Sequence, residues 1–259
     1  MKLVGKNVLI TGASSGIGSE LARQLAVKGN NLALIARRKY LLDELASVIK
    51  TKDLKIFTYK CDVSVKEEVV FATNKILDDI GSIDVAILNA GTSSRSALNG
   101  IYSEEAENIF AVNVMGIIYF AEALIPHFKK RNEGTIAGIS SLAESRGFPR
   151  SGLYCASKSA VSKLLESLRI EFRNYNIKVT IVKPGFVKTP MTDKNEFKMP
   201  FLMNVERAAK KILNGIEREK KIVQFPWPLV FGEKLTGIIP NSIFDFLAWK
   251  HVEMYNKDT

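Results

Sequence analysis

The sequence predicts a single three-layer α/β domain, with helices covering both faces of a doubly wound parallel sheet. Six short, nearly continuous apolar runs recur along the chain. Runs of this kind are typical of parallel strands that are buried on both faces. Amphipathic segments long enough for crossover helices lie between the runs, and this alternation is typical of βαβ units. Because no repeat, low-complexity tract or linker divides the 259 residues, we expect one domain spanning 1–259.

The predicted elements alternate in order from the amino terminus. Strands are expected at residues 8–10, 32–35, 55–59, 85–88, 135–139 and 178–182. Crossover helices are expected at residues 16–28, 39–51, 65–80, 104–130 and 153–174. After about residue 184 the pattern changes, because two proline-bearing stretches, 184–200 and 225–240, flank a helical pattern at 205–219. We therefore expect a core at 4–190, and a lid over the ligand crevice with an apolar extension at 191–259.

The composition is that of an ordinary globular protein with an excess of positive charge. Lys and Arg total 37 against 27 Asp and Glu, so the formal net charge is +10. This excess indicates an anionic partner: nucleic acid, an acidic membrane face or a phosphate-rich small molecule. Two cysteines and two histidines exclude a disulfide scaffold and a four-thiolate or His-rich metal site. We find neither a signal peptide nor an apolar stretch long enough to span a bilayer, so the expected compartment is the cytosol.

A glycine-rich turn follows the first predicted strand and opens the first predicted helix. Its sequence is TGASSGIG at residues 11–18. Glycines allow a tight turn and close backbone approach to a ligand, and a helix N-terminus favours a pyrophosphate. In the first βαβ unit this pattern predicts dinucleotide binding. The expected contacts are Gly12, Ser14, Ser15, Gly16, Ile17 and Gly18.

The end of the second predicted strand indicates which dinucleotide is bound. An NAD site has a carboxylate there for the ribose 2′-hydroxyl, whereas this chain has Arg37 and Arg38, with no carboxylate before Asp43. Two guanidinium groups can pair with a 2′-phosphate through charge-assisted hydrogen bonds. The alternative is a solvated arginine pair at a strand end. The spacing from the glycine turn favours NADP(H) as the cofactor.

A second motif lies at the start of the predicted helix at 153–174. Tyr154 and Lys158 are four residues apart and share one helix face. An ammonium group close to a phenol lowers the phenol pKa from about 10, so that it can exchange a proton at neutral pH. Ser141, thirteen residues before Tyr154, follows the fifth strand and could hold a carbonyl or alcohol oxygen beside it.

Together these residues resemble the short-chain dehydrogenase/reductase family, which has a Rossmann fold. The resemblance runs in order over about residues 4–190, and the remaining residues carry no family motif. It implies an active-site tetrad of Asn113, Ser141, Tyr154 and Lys158. It also implies cofactor contacts at Asp62, Val63, Asn89, Ala90, Gly91, Tyr154, Lys158, Pro184, Gly185, Val187 and Thr189.

The resemblance also implies a reaction, namely hydride transfer between nicotinamide and a carbonyl or secondary alcohol without a metal. Tyr154 would protonate the developing alkoxide, and Ser141 would orient its oxygen. Lys158 would lower the Tyr154 pKa and bind the nicotinamide ribose, and Asn113 would hold a water that links Lys158 to solvent. In the family, helices like those at 104–130 and 153–174 commonly form dimer or tetramer contacts, so a homodimer or homotetramer is expected.

The apolar segment at 225–249 has three interpretations: a core or subunit interface, a lid over a lipophilic substrate, or a peripheral membrane contact aided by the positive charge. An enzyme acting on a lipophilic carbonyl or alcohol is the favoured function. The alternative is a catalytically idle NADP-binding regulator or scaffold on the same fold. A hydrolase is disfavoured because no Gly-x-Ser-x-Gly elbow is present. Nucleic-acid binding is disfavoured because the basic residues are scattered.

Overall fold

The computed structural model describes residues 1–93, 100–193, 195 and 197–257, with side chains described up to residue 250. Within these residues the strands are β1 (Asn7–Thr11), β2 (Asn31–Ala36), β3 (Ile56–Lys60), β4 (Val85–Leu88), β5 (Gly134–Ile139), β6 (Ile177–Pro184) and β7 (Ile222–Phe225). The α-helices are α1 (Gly16–Val27), α2 (Lys39–Ile49), α3 (Lys66–Ile80), α4 (Ser103–Phe110), α5 (Gly116–Arg131), α6 (Gly152–Glu171), α7 (Val205–Glu217), α8 (Trp227–Ile238) and α9 (Asn241–Lys257).

The strands form one parallel sheet in the order β3-β2-β1-β4-β5-β6-β7. The predicted doubly wound parallel sheet is thereby confirmed. The chain winds outward in one direction from β1 to β3 and in the other from β4 to β7. Loops that leave β1 and β4 therefore diverge to opposite faces and open a crevice at the carboxyl ends of these two strands. The glycine turn follows β1 at this point.

Two hydrophobic clusters, one on each face of the sheet, hold the helices in place. Side chains alternate along a strand, so Val8 and Ile10 of β1 join one cluster while Leu9 joins the other. The first cluster contains residues of α1, α2 and α7, and the second contains residues of α3, α5 and α6. Because every strand carries apolar residues on both faces, the strands read as continuous apolar runs rather than alternating ones.

The core extends past residue 190, which was the expected limit of the core. β7 pairs with β6, with Val182 opposite Val223, and α7 packs against α1 with Ile212 and Ile216 fully buried. Residues 205–225 therefore belong to the sheet and its covering layer rather than to a lid. β7 was missed because its four residues, Ile-Val-Gln-Phe, include a polar one, and so short a segment is ambiguous without its pairing partner.

The helix predicted at 104–130 is continuous, but its hydrogen-bonding pattern changes midway. A π-helical turn at Ala111–Met115 separates α4 from α5 and contains Asn113, which is fully buried. π-Turns are rare and occur frequently at functional sites. In the described part of the chain, Ser103–Arg131 is one continuous helical run that is long and apolar enough to cross a bilayer by length and composition. Its side chains Phe120, Leu124 and Phe128 are nevertheless buried in the core.

The last two helices, α8 and α9, form a hairpin joined at Ile239 and Pro240. α8 ends at Ile238, two residues before Pro240, because proline disfavours continuation of a helix. No residue of α8 is fully buried. The hairpin therefore lies on the surface of the domain and is not part of its core.

Candidate active site

A cleft of about 410 Å³ opens at the carboxyl ends of the strands. It is lined by every residue predicted for the cofactor and active sites except Gly18 and Asn113. The sheet thus brings together residues that are far apart in the sequence. The roles of these residues in binding and catalysis remain predictions.

The floor of the cleft is formed where the glycine turn meets the end of β4. The Thr11 hydroxyl accepts hydrogen bonds from the backbone N–H groups of Asn89 (2.9 Å) and Ala90 (3.0 Å), and Asn89 Nδ2 donates to Thr11 O at 3.0 Å. Gly12 has a positive φ of 66°, and a Cβ there would lie 2.8 Å from Ala90 Cα. A Cβ at Gly18 would collide with the Gly12 carbonyl oxygen. Glycine is therefore required for this close packing, which keeps the start of α1 accessible to an anionic group.

Arg37 and Arg38 lie at the rim of the cleft. Arg38 Nη2 donates to Ser14 Oγ (3.2 Å) and Ser15 Oγ (3.1 Å), which holds its guanidinium group over the glycine turn. The Arg37 side chain is 67% exposed, and its Nη1 lies 3.6 Å from Asp62 Oδ2. Both guanidinium groups therefore retain donors for an anion at this position.

Asp62 forms the opposite wall of this part of the cleft. Its Oδ1 accepts hydrogen bonds from the Ser64 hydroxyl (2.6 Å) and backbone N–H (3.0 Å). Burial raises the pKa of Asp62, but the Ser64 hydrogen bonds and the Arg37 charge outweigh burial and lower it below its ordinary value. The carboxylate is therefore ionised at neutral pH and available as an acceptor.

Tyr154 and Ser141 form the reactive end of the cleft. Tyr154 lies in the first turn of α6, and Ser141 precedes a 3₁₀ turn in which its Oγ accepts from the Ala143 N–H at 3.1 Å. Burial raises the pKa of Tyr154, and a hydrogen bond with Ser141 opposes this effect. The raised pKa keeps the phenol neutral at neutral pH. Lys158 Nζ lies 5.8 Å from the ring centroid, and its effect on the Tyr154 pKa stays a prediction.

Lys158 is almost completely buried behind the phenol. Its Nζ donates to Ile139 O at 2.9 Å, and a Cβ on Gly91 would lie 3.4 Å from it. Burial lowers the Lys158 pKa from 10.5 to about 8, and the charge of Glu144 partly offsets the effect. The ammonium group has two further donors, and they face a cleft lined by Tyr154 and Gly91.

Asn113 lies behind the cleft wall and braces it. Its Oδ1 accepts from the Thr92 N–H (2.8 Å), and its Nδ2 donates to Thr92 O (3.0 Å) and Ser157 Oγ (3.0 Å). Both amide hydrogens are therefore used, so the side chain cannot donate to a water as well. The observed geometry instead fixes the strand end after Gly91 against α6.

A buried polar network below Ser141 was not anticipated from the sequence. Glu144 forms an ion pair with Lys183, with side chains only 11% and 13% exposed, and accepts a hydrogen bond from Ser162. Ser140 Oγ contacts Glu144 Oε2 at 2.7 Å and Lys158 O at 2.9 Å. The network ties the Ser141 turn to α6 and β6. The only sequence signal was the position of Glu144 three residues after Ser141, and its partner Lys183 lies on a distant strand.

The remaining wall follows β6. Pro184, Gly185, Val187 and Thr189 line the cleft, and Thr189 Cγ2 would lie 3.2 Å from a Cβ on Gly16. This segment therefore closes over the glycine turn. The cleft thus combines a glycine turn, two arginine side chains and a neutral phenol on one α/β sheet, an arrangement that fits a dinucleotide-binding protein.

Comparison with known proteins agrees with this geometry. The family model described as short chain dehydrogenase matches residues 6–199. The chain therefore belongs to the short-chain dehydrogenase family. An uncharacterized oxidoreductase of Myxococcus xanthus is 34% identical over 94% of this chain and 96% of its own length. The 11-beta-hydroxysteroid dehydrogenase-like 2 of Arabidopsis thaliana is 35% identical over 98% of this chain and 85% of its own length.

Solved structures show the same fold. A short-chain dehydrogenase/reductase from Burkholderia phymatum in complex with NAD has a TM-score of 0.84 at 23% identity, over 91% of this chain and 94% of its own. An alcohol dehydrogenase from Thermococcus sibiricus complexed with 5-hydroxy-NADP has a TM-score of 0.76 at 27% identity, over 85% and 94%. Membership of the family, together with these neighbours, supports an oxidoreductase that uses a nicotinamide cofactor.

Proposed function

We propose that this protein is an NADPH-dependent reductase of carbonyl groups on lipophilic substrates. The observation that carries the proposal is the arrangement of Ser141, Tyr154 and Lys158 at one end of a dinucleotide-sized cleft. A phenol whose pKa is raised by burial stays protonated at neutral pH, as a proton donor in a reduction must.

The residues of the cleft fit a nicotinamide dinucleotide. Glycine at Gly12 lets the turn pack closely against Ala90, and the turn lines the cleft together with Ser14 and Ser15. Ser14, Ser15 and the N-terminus of α1 would hold the pyrophosphate. Arg37 and Arg38 would pair with a 2′-phosphate, and this pairing supports NADPH over NADH.

In the proposed mechanism the bound NADPH supplies the hydride. The Ser141 hydroxyl orients the substrate carbonyl oxygen beside the Tyr154 hydroxyl, and Tyr154 donates its proton to that oxygen. Lys158 stabilises the phenolate that results, because an ammonium group nearby favours the charged form. Asn113 fixes Ser157 and Thr92, so α6 keeps Tyr154 and Lys158 in place during turnover.

Replacing Tyr154 by phenylalanine tests this mechanism. We expect Y154F to lose ketone reduction, measured as NADPH absorbance, by at least about a hundredfold, while NADPH still binds in a fluorescence titration. Tyr175, at the far end of α6 with a ring exposed to 38%, offers the matched control, and Y175F should retain activity. Full activity of Y154F would exclude the mechanism. A catalytically idle scaffold would bind NADPH equally well and reduce no ketone in a panel of varied size and polarity.

The proposed preference for lipophilic substrates rests on the α8–α9 hairpin, in which Leu229 packs against Gly185 of the cleft wall and other apolar side chains are exposed. The relative from Arabidopsis thaliana, named after a hydroxysteroid dehydrogenase, supports an apolar substrate. A panel of ketones that differ in apolar surface should show kcat/KM rising with that surface. Equal rates on small polar ketones would contradict this part of the proposal.

The outer face of the hairpin supports a peripheral membrane contact as part of the same proposal. Eight large apolar side chains of α8 and α9 are between 49% and 80% exposed, namely Trp227, Phe231, Leu235, Ile238, Ile243, Phe246, Leu247 and Trp249. At roughly 100 Å² each, their exposed areas sum to about 800 Å², whereas the largest apolar patch of an ordinary monomer covers roughly 300–600 Å². Tryptophan is typical of the membrane interface, and the net charge of +10 favours anionic lipid.

Both tryptophans of the chain lie on this face, so their emission reports on it directly. Phosphatidylserine vesicles should shift the emission to shorter wavelength, and phosphatidylcholine vesicles should do so less. An unchanged emission with both kinds of vesicle would contradict the membrane contact. Assembly through α5 and α6, which the family resemblance implies, is measured by light scattering with the vesicles omitted.

A further inference from the structure

The inner face of α8 borders both walls of the proposed substrate site. On the cofactor side, a Cβ on Gly185 would lie 2.7 Å from Leu229 Cδ1. On the serine side, Glu233 lies close enough to Lys183 and Glu144 for both charges to affect its pKa, which burial raises. α8 therefore lies beside Gly185 and the turn that follows Ser141, next to the cleft that Ser141 and Tyr154 line.

Hydrophobic packing alone does not fix this position. α8 contains no fully buried residue, and its Trp227, Phe231, Leu235 and Ile238 point outward at helical spacing. A helix in water is ordinarily held by its apolar face. Here most of the large apolar side chains are exposed, so polar contacts add to the attachment of the hairpin.

Arg146 supplies such contacts. Its Nε donates to Thr236 O (2.9 Å), its Nη2 to Ile239 O (2.7 Å) and its Nη1 to Asn241 Oδ1 (2.7 Å). Two of these acceptors are backbone carbonyls at the C-terminal end of α8, which lack partners within the helix and carry negative partial charge. One guanidinium group thus caps α8 and binds the first residue of α9.

Aromatic contacts complete the attachment. The Arg146 guanidinium carbon lies 4.7 Å from the centroid of the Phe244 ring, and Phe148 meets the same ring edge-on at 6.1 Å between centroids. Arg146 and Phe148 belong to the loop between Ser141 and Tyr154. The hairpin is therefore tied to the segment that carries the two groups closest to the substrate oxygen.

We propose that Arg146 is a positioning residue that locks the α8–α9 hairpin onto the Ser141–Tyr154 loop and so forms the binding wall for bulky apolar substrates. The inference rests on the proposed function. Arg146 does not touch the reacting atoms in this proposal. Its loss should weaken substrate binding and leave cofactor binding and the chemical step nearly unchanged.

The test compares R146A and R146K with R173A, an arginine in the exposed turn after α6. Acetophenone and benzophenone serve as smaller and bulkier apolar ketones. In R146A we expect KM for benzophenone to rise about tenfold, with kcat and the NADPH dissociation constant within about twofold. KM for acetophenone should rise less. R146K should resemble R146A, because an ammonium group cannot reach three acceptors in a fork geometry.

Hydrogen–deuterium exchange of the full chain gives the second readout. Amides of α8 and α9 should exchange faster in R146A, while those of α6 keep their protection. Faster exchange without a change in KM would refute the role of the hairpin as a substrate wall. Equal loss of kcat on both ketones, or full rescue by lysine, would also refute it. If the wild type reduces neither ketone, the proposed function fails, and the exchange data still decide whether Arg146 holds the hairpin.

Discussion

Replacing Lys158 by methionine should stabilise the cofactor-free protein and abolish turnover. The ammonium group is buried, with 5% of the residue exposed, and burial lowers its pKa from 10.5 to about 8. Each unit of pKa difference corresponds to about 1.36 kcal/mol. Keeping this group charged at neutral pH therefore lowers the free energy of unfolding by about 3 kcal/mol.

Methionine fills a similar volume without a charge. The variant loses the hydrogen bond from Lys158 to Ile139 O, which contributes about 1 kcal/mol. The expected net gain in the free energy of unfolding is about 2 kcal/mol, or an increase in Tm of about 6 °C for a domain of this size. The gain reflects a site in which catalysis is favoured over stability.

The pH dependence gives the prediction a second test. The folded pKa of Lys158 lies below its unfolded value, so the unfolded chain binds more protons between about pH 8 and 10.5. Below about pH 8 the charged group lowers the free energy of unfolding. As the pH rises through that window, the free energy of unfolding therefore increases. K158M has no such group, so its advantage over the wild type should shrink at alkaline pH.

Urea unfolding without cofactor at about pH 7 and about pH 10 measures both effects. K163M is the matched control, because Lys163 lies on the same helix with its side chain 83% exposed and should change stability by less than about 0.5 kcal/mol. A K158M protein that is less stable than the wild type at neutral pH, beside an unchanged K163M, would refute the argument. It would mean that the buried ammonium group stabilises the fold.

Two further predictions concern the rim and the floor of the site. Replacing Arg37 and Arg38 together by alanine should raise the NADPH dissociation constant about a hundredfold and the NADH dissociation constant less than about threefold, because charge-assisted hydrogen bonds contribute about 1.5–3 kcal/mol each. R23A, on the exposed side of α1, is the control. Equal losses of affinity for the two cofactors would exclude a 2′-phosphate site. E144Q and K183M should each cost about 3 kcal/mol in urea unfolding, because each leaves a buried charge without its partner. The double variant should cost clearly less than the sum, and additive costs would show that the ion pair is not coupled.

Much of the site could be predicted from sequence because its signals are local. The glycine turn requires glycine at Gly12 and Gly18 for reasons of backbone contact, and Tyr154 and Lys158 share a helix face by spacing alone. Strand–helix alternation likewise determined the fold class, because parallel strands with both faces covered leave continuous apolar runs. These features depend on neighbours within one or two turns of the chain.

Only the tertiary structure decided which distant side chains meet. The pairing of β7 with β6 made a short segment that includes Gln224 into a strand of the sheet, with Val223 and Phe225 buried. The partnership of Glu144 with Lys183 and the hold of Arg146 on the α8–α9 hairpin join residues 39 to 95 positions apart. A charged residue is ordinarily predicted to be solvent-exposed. The sequence pattern therefore does not indicate such contacts, because only the fold places the partner beside it. For the same reason, the extent of Lys158 burial and the resulting decrease in its pKa could not be predicted from the sequence alone.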